Sequence, residues 1–198
     1  MNILKHLSLA VGRDFNTPTV SVSSDQAFIF ITERPNFKAE IGLTQIPEEH
    51  GKLCGDTAKY FTDGRGRFIM LISDGMGSGE KARECSKITL RLVKQMLSAG
   101  FNGEETVKLI NSRMNLSQNK EMYSSLDISI LDLFAGKIEL LKNGACNTYI
   151  KNKKTIKQIK SENLPVGIVN DIELQSNTID INDGDILVVL CPKLSNNL

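Results

Sequence analysis

The residues with the clearest chemical potential are those of segment 73–80, SDGMGSGE, which follows the apolar stretch Phe68–Ile72. A buried strand that ends at Asp74 would place a carboxylate at the edge of a sheet. The alternating glycines after Asp74 leave backbone without side chains beside that carboxylate. Such a site suits a hard cation and its water better than a bare phosphate. We therefore interpret Asp74 as a metal ligand, with a tight glycine turn that caps a helix as the alternative.

Two phosphate-binding motifs share glycines with this segment, and neither fits it. The Walker motif requires Gly-Lys-Ser or Gly-Lys-Thr, but Gly79 is followed by Glu80. The dinucleotide-binding fingerprint requires a glycine at position 80, where Glu80 would instead repel pyrophosphate. Asp74 would repel it as well. The segment is therefore read as a cation site.

The composition indicates one soluble domain without a nucleic-acid partner. The chain has 198 residues, 40% of them hydrophobic, and its 24 basic residues nearly cancel 23 acidic ones to leave a net charge of +1. This balance does not favour binding to nucleic acid or to an anionic membrane surface. The lysine-rich stretch Lys151–Lys160 is the exception, and we interpret it as a solvated hairpin edge because lysines protect sheet edges.

The cysteines and histidines exclude several other classes of site. Cys54, Cys85, Cys146 and Cys191 form no CxxC pair, so we expect reduced thiols in a cytoplasmic protein rather than zinc or a disulfide framework. Only two histidines occur, and neither lies near a nucleophile-like turn. No apolar run approaches the roughly 18 residues that cross a bilayer, and no signal-peptide core is present. We therefore predict no membrane contact by this chain.

The strands and helices that would position Asp74 are grouped along the chain and do not alternate strictly. Ala27–Thr32 and Phe37–Leu43 are predicted as two strands joined by a turn at 33–36, and 46–53 as a loop. A further extended piece after Asp56 and a turn at 63–66 precede the strand that ends at Asp74. Two helices then follow, the first over 81–99.

Apolar residues at three- and four-residue steps predict the buried faces of the two helices. In the first helix the predicted stripe is Cys85, Ile88, Leu92 and Met96. The second helix begins after Asn102, a favourable capping residue. Its predicted stripe is Val107, Ile110 and Met114.

The rest of the chain is predicted to be β-structure. The predicted strands cover 126–133, 138–141, 146–150, 155–159, 173–181 and 186–190. The last of these is a continuous apolar run, Ile186–Leu190, typical of a strand buried on both faces. Strands, then two adjacent helices, then strands predict an α+β layered domain. We assign residues 1–20 to a poorly ordered N-terminal lead or linker and 21–198 to the domain.

An ordered set of short motifs makes the sequence similar to a known family. It resembles the phosphatase domain of the stage II sporulation protein E family, within the metal-dependent PP2C (PPM) serine/threonine phosphatases. The motifs that carry the resemblance are Glu33-Arg34-Pro35, Ala39-Glu40-Ile41-Gly42, Cys54-Gly55-Asp56, segment 73–80, Ser124-Ser125-Leu126-Asp127, Leu164-Pro165-Val166-Gly167 and Asp183-Gly184-Asp185.

The resemblance implies a layered β-sandwich flanked by helices, and hydrolysis of a phosphoserine by metal-activated water. The cofactor would be Mn²⁺ or Mg²⁺. Asp74 matches the carboxylate that bridges both ions and positions the metal-bound water, Gly75 would add its carbonyl, and Asp56 would serve one ion. Asp127 is expected to make structural hydrogen bonds rather than bind metal. The implied substrate is a phosphorylated anti-anti-sigma factor, while a homodimer and a membrane-anchored parent protein both stay open.

The chain departs from the family pattern near its end. Where the family continues its strand into Ser-Asp-Gly, with a metal-binding aspartate, this chain has Cys191, Pro192 and Lys193. The family's closing helix and last strand are also absent, so we expect a C-terminally incomplete domain in which one half of the two-metal site remains. Two functions follow as hypotheses. One is a weak protein serine phosphatase, and the other is a noncatalytic PP2C-like interaction domain.

Overall fold

The computed structural model describes residues 3–44, 55–75, 80–116, 123–174 and 176–191. The chain forms two compact units, Met1–Lys38 and Ala39–Leu198. The boundary that we predicted after residue 20 lies inside a strand of the first unit. The assignment of residues 1–20 to a linker remains a prediction, and the predicted loop at 46–53 lies outside the described residues.

The first unit contains helix α1 (Ile3–Val11) and the strands β1 (Thr19–Val22) and β2 (Ala27–Phe30). β1 and β2 pair antiparallel, and the Ser23 N–H donates to the Gln26 carbonyl at 2.8 Å to close the turn. The prediction of a strand at Phe37–Leu43 as the partner of β2 is wrong, because β2 pairs with the strand before it.

Ion pairs explain the path of the chain after β2. Arg13 pairs with Glu33 at 2.7 Å and Arg34 pairs with Asp14 at 2.5 Å. These contacts, together with a 2.9 Å hydrogen bond from the Asn16 N–H to the Thr32 carbonyl, hold residues 32–34 beside residues 13–16. The turn that we predicted at 33–36 therefore does not return the chain along β2.

The second unit alternates between two sheets and a helical pair. Its elements in chain order are β3 (Asp56–Thr62), β4 (Arg67–Asp74), α2 (Glu80–Ala99), α3 (Gly103–Asn115), β5 (Leu126–Asp132), β6 (Lys137–Asn143), β7 (Thr148–Lys151), β8 (Ile156–Ile159), β9 (Ser176–Asp180) and β10 (Ile186–Val189). β3, β4, β5, β6 and β9 form one antiparallel sheet in that order, and β10, β7 and β8 form another. The predicted α+β class is confirmed.

The five-stranded sheet is covered on both faces. Alternate residues such as Leu71, Leu126 and Ile128 pack with α2 and α3 in one core cluster. Residues on the other face of the sheet, such as Ile138 and Leu140, pack against Ile150 of the three-stranded sheet in a second cluster. Because side chains alternate along a strand, each sheet residue belongs to either the helical side or the sandwich side. The layer order is therefore helices, five-stranded sheet, three-stranded sheet.

The buried face of α2 differs from the predicted stripe, although the helix itself is confirmed. Cys85 is buried, but Ile88, Leu92 and Met96 are only partly so. The fully buried positions are Leu90, Val93 and Leu97, with Ser86 and Thr89 beside them. Small polar residues thus occupy part of the helix face that packs on the sheet. A prediction based only on the spacing of apolar residues does not identify such positions.

The start and apolar stripe of α3 are as predicted. Asn102 accepts from the Glu105 N–H at 2.8 Å, and the Glu105 carboxylate accepts from the Asn102 N–H at 3.2 Å. This reciprocal capping box satisfies backbone donors at the first turn. Val107, Ile110 and Met114 are all buried in the core cluster with the sheet.

The prediction of full burial for Ile186–Leu190 is wrong. β10 forms from this run, but Ile186 is 52% exposed and Val188 is 42% exposed. Within the described residues β10 pairs only with β7, and the side chains of these two residues point away from the sandwich core. An apolar run specifies two apolar faces, but it does not specify what covers the second one.

Candidate metal centre

The hairpin of β3 and β4 brings the two predicted metal-binding aspartates together. Asp56 is the first residue of β3, Asp74 is the last residue of β4, and the register places them directly opposite each other. Directly opposed residues project from the same face with Cβ atoms about 4.5–5.5 Å apart. The predicted proximity of Asp56 and Asp74 is therefore observed, while their role as ligands remains a prediction.

The register of this hairpin is set at its far end by Asp63. The Asp63 carboxylate accepts from the backbone N–H groups of Arg65 at 3.0 Å and Arg67 at 2.9 Å, and from the Arg67 Nε at 2.7 Å. Burial by itself raises the pKa of Asp63, but the hydrogen bonds from Arg67 and Arg65 and the Arg67 charge leave it below its ordinary value. An ionised Asp63 thus fixes the turn that aligns Asp56 with Asp74.

Serine hydroxyls hold the end of β4 in place. The Asp74 N–H donates to Ser125 Oγ at 3.0 Å, and the Ser125 N–H donates back to the Asp74 carbonyl at 2.9 Å. The Ser124 hydroxyl lies 3.0 Å from the same carbonyl and 2.5 Å from Ser73 Oγ. With its backbone amide and carbonyl both bound, Asp74 has a fixed main chain from which its carboxylate projects.

Gly75 lies where a side chain has no room. A Cβ atom at this position would lie 2.0 Å from the Ala82 carbonyl oxygen, within α2. The Gly75 N–H donates to Ser86 Oγ at 2.6 Å, and the Ser86 hydroxyl lies 2.7 Å from the Gly55 carbonyl. Ser86 therefore ties the segments that follow Asp74 and precede Asp56 to the same helix.

Ser86 supports the backbone of the candidate site and was not predicted from the sequence. It is completely buried and contacts both backbone segments of the site, yet it lies outside every motif that we identified. A serine at a helix position that faces the sheet was the available signal, since buried hydroxyls require hydrogen-bond partners. Gly55 is also closely packed, because a Cβ there would lie 3.3 Å from Asp74 Oδ1.

Cys191 reaches the site from the other sheet. Its thiol donates a hydrogen bond to Asp56 Oδ2. Cys191 follows the end of β10, at the same end of the sandwich as the two aspartates. Pro192 and Lys193, which depart from the family pattern, lie outside the described residues.

Asp127 makes structural contacts, as predicted, rather than joining the aspartate pair. It lies opposite Lys142 in the register of β5 and β6, and the two form an ion pair between the sheets in which both side chains are almost fully buried. Lys142 Nζ also donates to Thr148 Oγ1 of β7 at 2.7 Å. Burial raises the pKa of Asp127, and the neighbouring Lys142 ammonium acts in the opposite direction.

The donor atoms at Asp56 and Asp74 fit a hard divalent cation. Two carboxylates on one face repel each other unless a cation lies between or beside them, and carboxylate oxygens are the ligands that hard cations prefer. In the part of the chain that the structure describes, no three His, Cys, Asp or Glu residues form a group that could hold a metal ion. Asp56 and Asp74 are thus two candidate ligands, and the half-site that we expected from the family pattern remains a prediction.

The layered sandwich with paired acidic strand ends defines a PP2C-like fold, and comparison with solved structures supports this. The PP2C phosphatase domain with a fragment of the regulatory domain of SpoIIE from Bacillus subtilis matches with a TM-score of 0.73 and 25% identity, over 94% of this chain and 57% of that one. RsbX in complex with magnesium matches with a TM-score of 0.62 and 15% identity, over 87% of this chain and 77% of that one. At 15% identity, RsbX supports the fold alone.

The family follows from sequence comparison. The family model of stage II sporulation protein E matches residues 56–191, so the chain belongs to this family. It is 30% identical over 155 residues to stage II sporulation protein E of Bacillus subtilis (strain 168), covering 78% of this chain and 19% of that protein. It is 31% identical over 154 residues to the Priestia megaterium protein, covering 78% and 26% respectively. The chain thus spans about a quarter or less of these relatives.

None of the helices in the described segments is both long enough and apolar enough to cross a bilayer.

Proposed function

We propose that the chain carries a metal-dependent protein serine phosphatase site of the PP2C type, which hydrolyses a phosphoserine. The observation that carries this proposal is the register of β3 and β4, which sets Asp56 opposite Asp74 at one end of the sandwich. Membership of the stage II sporulation protein E family and homology to PP2C phosphatases support it. The cation is Mn²⁺ or Mg²⁺, since the donors are oxygen atoms.

In this proposal Asp74 and Asp56 hold the cation by their carboxylates and Gly75 contributes its carbonyl oxygen. When bound, the metal neutralises the phosphate and lowers the pKa of water so that it can act as a nucleophile. The chain's own contribution is positional. Ser124 and Ser125 fix the backbone of Asp74, so its carboxylate is held ready to orient the attacking water.

The substrate and setting follow from the family. We assign as substrate a phosphorylated protein, and by resemblance an anti-anti-sigma factor in sporulation control. We place the reaction in the cytoplasm, because the cysteines of the sequence form no CxxC pair and give no local support for a disulfide framework. A homodimer is a further part of this proposal that oligomeric state in solution would test.

A noncatalytic interaction domain is the second candidate. The chain has Cys191, Pro192 and Lys193 where the family has Ser-Asp-Gly, so no carboxylate follows β10 directly. The Cys191 thiol instead contacts Asp56. In this alternative the fold would bind a phosphoprotein without hydrolysing it.

Hydrolysis of a phosphoserine peptide with added Mn²⁺ distinguishes the two candidates. Phosphate release that requires Mn²⁺ and is lost in Asp74→Asn supports the phosphatase. Asp171→Asn, which changes an exposed carboxylate in the same way, is the matched control. Absence of Mn²⁺-dependent release, with phosphopeptide binding retained, would establish the interaction domain instead.

A further inference from the structure

A groove of about 310 Å³ opens at the side of the sandwich where β8 and β9 form the sheet edges. Three lysines line it, Lys142, Lys157 and Lys160, together with the amide side chains of Gln158, Asn163 and Asn177. Glu162 is the carboxylate in this lining. The volume is at the lower end for ligand sites, which suits a few side chains rather than a large cofactor.

The charge of the groove is positive. The Lys142 ammonium is neutralised by Asp127, so it adds little net charge. Lys157 and Lys160 are exposed and form no ion pair with any residue that the structure describes. Glu162 is the one carboxylate among the described lining residues that offsets these two positive charges. Ammonium and amide N–H groups donate to carboxylate and phosphate oxygens, so the lining is suited to an oxyanion.

The groove lies at the same end of the sandwich as Asp74. The register places Ile72 opposite Asp127, and Asp127 opposite Lys142, which lines the groove. Neighbouring strands lie about 4.8 Å apart, so β6 and β9 lie about 10–15 Å across the sheet from β4, the strand that ends at Asp74. An extended peptide covers about 3.3 Å per residue, so about three to five residues would span this distance.

We propose that this groove binds an acidic segment of the phosphoprotein substrate, at least about three to five residues from the phosphoserine. Lys157 and Lys160 would bind carboxylate side chains of that segment, and the amides would donate further hydrogen bonds. The assignment to a substrate rests on the proposed function. The binding of acidic peptide does not, because the groove needs no metal and no turnover.

The competing explanation is that these lysines only protect the open edge of β8. The chain contains a matched comparison for it. Lys153 and Lys154 lie in the exposed turn between β7 and β8, in the same basic stretch, but they do not line the groove. A general basic surface would bind an acidic peptide through both lysine pairs equally, whereas the groove would bind it only through Lys157 and Lys160.

Fluorescence anisotropy in metal-free buffer tests the proposal. The probes are a fluorescein-labelled peptide of alternating Glu and Ser, and the same peptide with Gln for Glu. We expect the Glu peptide alone to bind, and K157E/K160E to weaken its binding by about tenfold. We expect K153E/K154E, with the same change in net charge, to weaken it by less than about twofold. Circular dichroism and melting temperature check folding, and K157Q/K160Q provides a milder second variant.

Equal weakening by both lysine pairs, equal binding of both peptides, or no binding would each overturn the proposal. The metal site is tested separately, because Asp74→Asn should leave acidic-peptide binding unchanged. If acidic peptide binds as expected but no phosphate is released, the groove stands and the phosphatase assignment fails. If phosphate is released but K157E/K160E has no effect on peptide binding, the phosphatase assignment stands and the groove proposal fails.

Discussion

Asp127 and Lys142 lie opposite each other on β5 and β6 and form an ion pair between the two sheets of the sandwich. Lys142 also donates to Thr148 of the second sheet, so one ammonium links both layers. The pair lies two residues from Ser125, which fixes Asp74, and Lys142 lines the groove beside β8. A buried polar link thus separates the apolar sandwich core from the end that carries the candidate metal centre.

Lys142→Met should destabilise the fold by about 3–5 kcal/mol, because it leaves the buried Asp127 carboxyl group without its partner. The double variant Asp127→Leu/Lys142→Met should lose much less, since it removes both charges. Lys137→Met is the control on the same strand, because Lys137 and Asp180 are exposed and 4.0 Å apart. Urea denaturation measures each free energy of unfolding. A single-variant loss no larger than that of the Lys137 control would contradict the role of the pair.

Mn²⁺ should raise the melting temperature of the parent chain, because a ligand that binds only the folded state stabilises it by mass action. Asp74→Asn should abolish this shift while leaving the metal-free fold largely intact, since it also removes repulsion between Asp56 and Asp74. Differential scanning fluorimetry with and without Mn²⁺ provides the measurement. Mn²⁺ should raise the melting temperature of the control Asp171→Asn as much as it raises that of the parent. An unchanged Mn²⁺ response in Asp74→Asn would place the metal elsewhere.

Gly75→Ala should destabilise the chain by about 1–3 kcal/mol and reduce the Mn²⁺ shift, as expected for a methyl group forced into a packed position. The new Cβ would lie 2.0 Å from the Ala82 carbonyl, so the end of β4 must move away from α2. Gly64→Ala is the matched control, because a Cβ there meets no atom within 4 Å. Thermal melts of both variants test this. Equal stability of the two would show that the Gly75 contact is easily relieved.

Val93→Asp should cost several kcal/mol of stability, because Val93 is completely inaccessible in the core beneath α2. Cys85→Asp should behave similarly, while Met96→Asp should cost less because Met96 lies at the margin of the buried face. Chemical denaturation of the three variants gives the order. If Met96→Asp were the most damaging, the buried face of α2 would be the predicted stripe rather than the observed one.

Glu139→Gln should stabilise the chain at neutral pH. Burial and the nearby Glu104 carboxylate raise the pKa of Glu139 above its ordinary value of 4.5, against the opposing effect of Arg67. The folded state therefore binds more protons than the unfolded state, and its stability falls as the pH rises from 4.5 through the raised pKa. The advantage of the Gln variant should appear above this window and vanish below it.

Stability measured against pH for the parent and Glu139→Gln tests that dependence, with exposed Glu84→Gln as control. A difference between the parent and Glu139→Gln that did not change with pH would mean that the glutamate titrates normally.

The local sequence pattern was sufficient to predict the features that depend on residues close in sequence. The end of β4 at Asp74, the Asn102 cap and the apolar stripe of α3 were all predicted and observed. Each is governed by strand or helix periodicity, or by a side chain that binds backbone three residues away. The assignment of Asp56 to the same site as Asp74 came from the family resemblance, and the turn at 63–66 is what sets the two residues opposite each other in the hairpin.

Tertiary structure decided the features that depend on distant partners. β2 pairs with β1 rather than with 37–43, and backbone hydrogen bonds together with two exposed ion pairs hold residues 32–34 beside 13–16. Ser86 lies on the buried face of α2 because its hydroxyl satisfies backbone groups at Gly55 and Gly75. β10 leaves one apolar face exposed, although its sequence is typical of a buried strand. Burial and polar pairing depend on what packs against a residue, and this is determined only when distant segments meet.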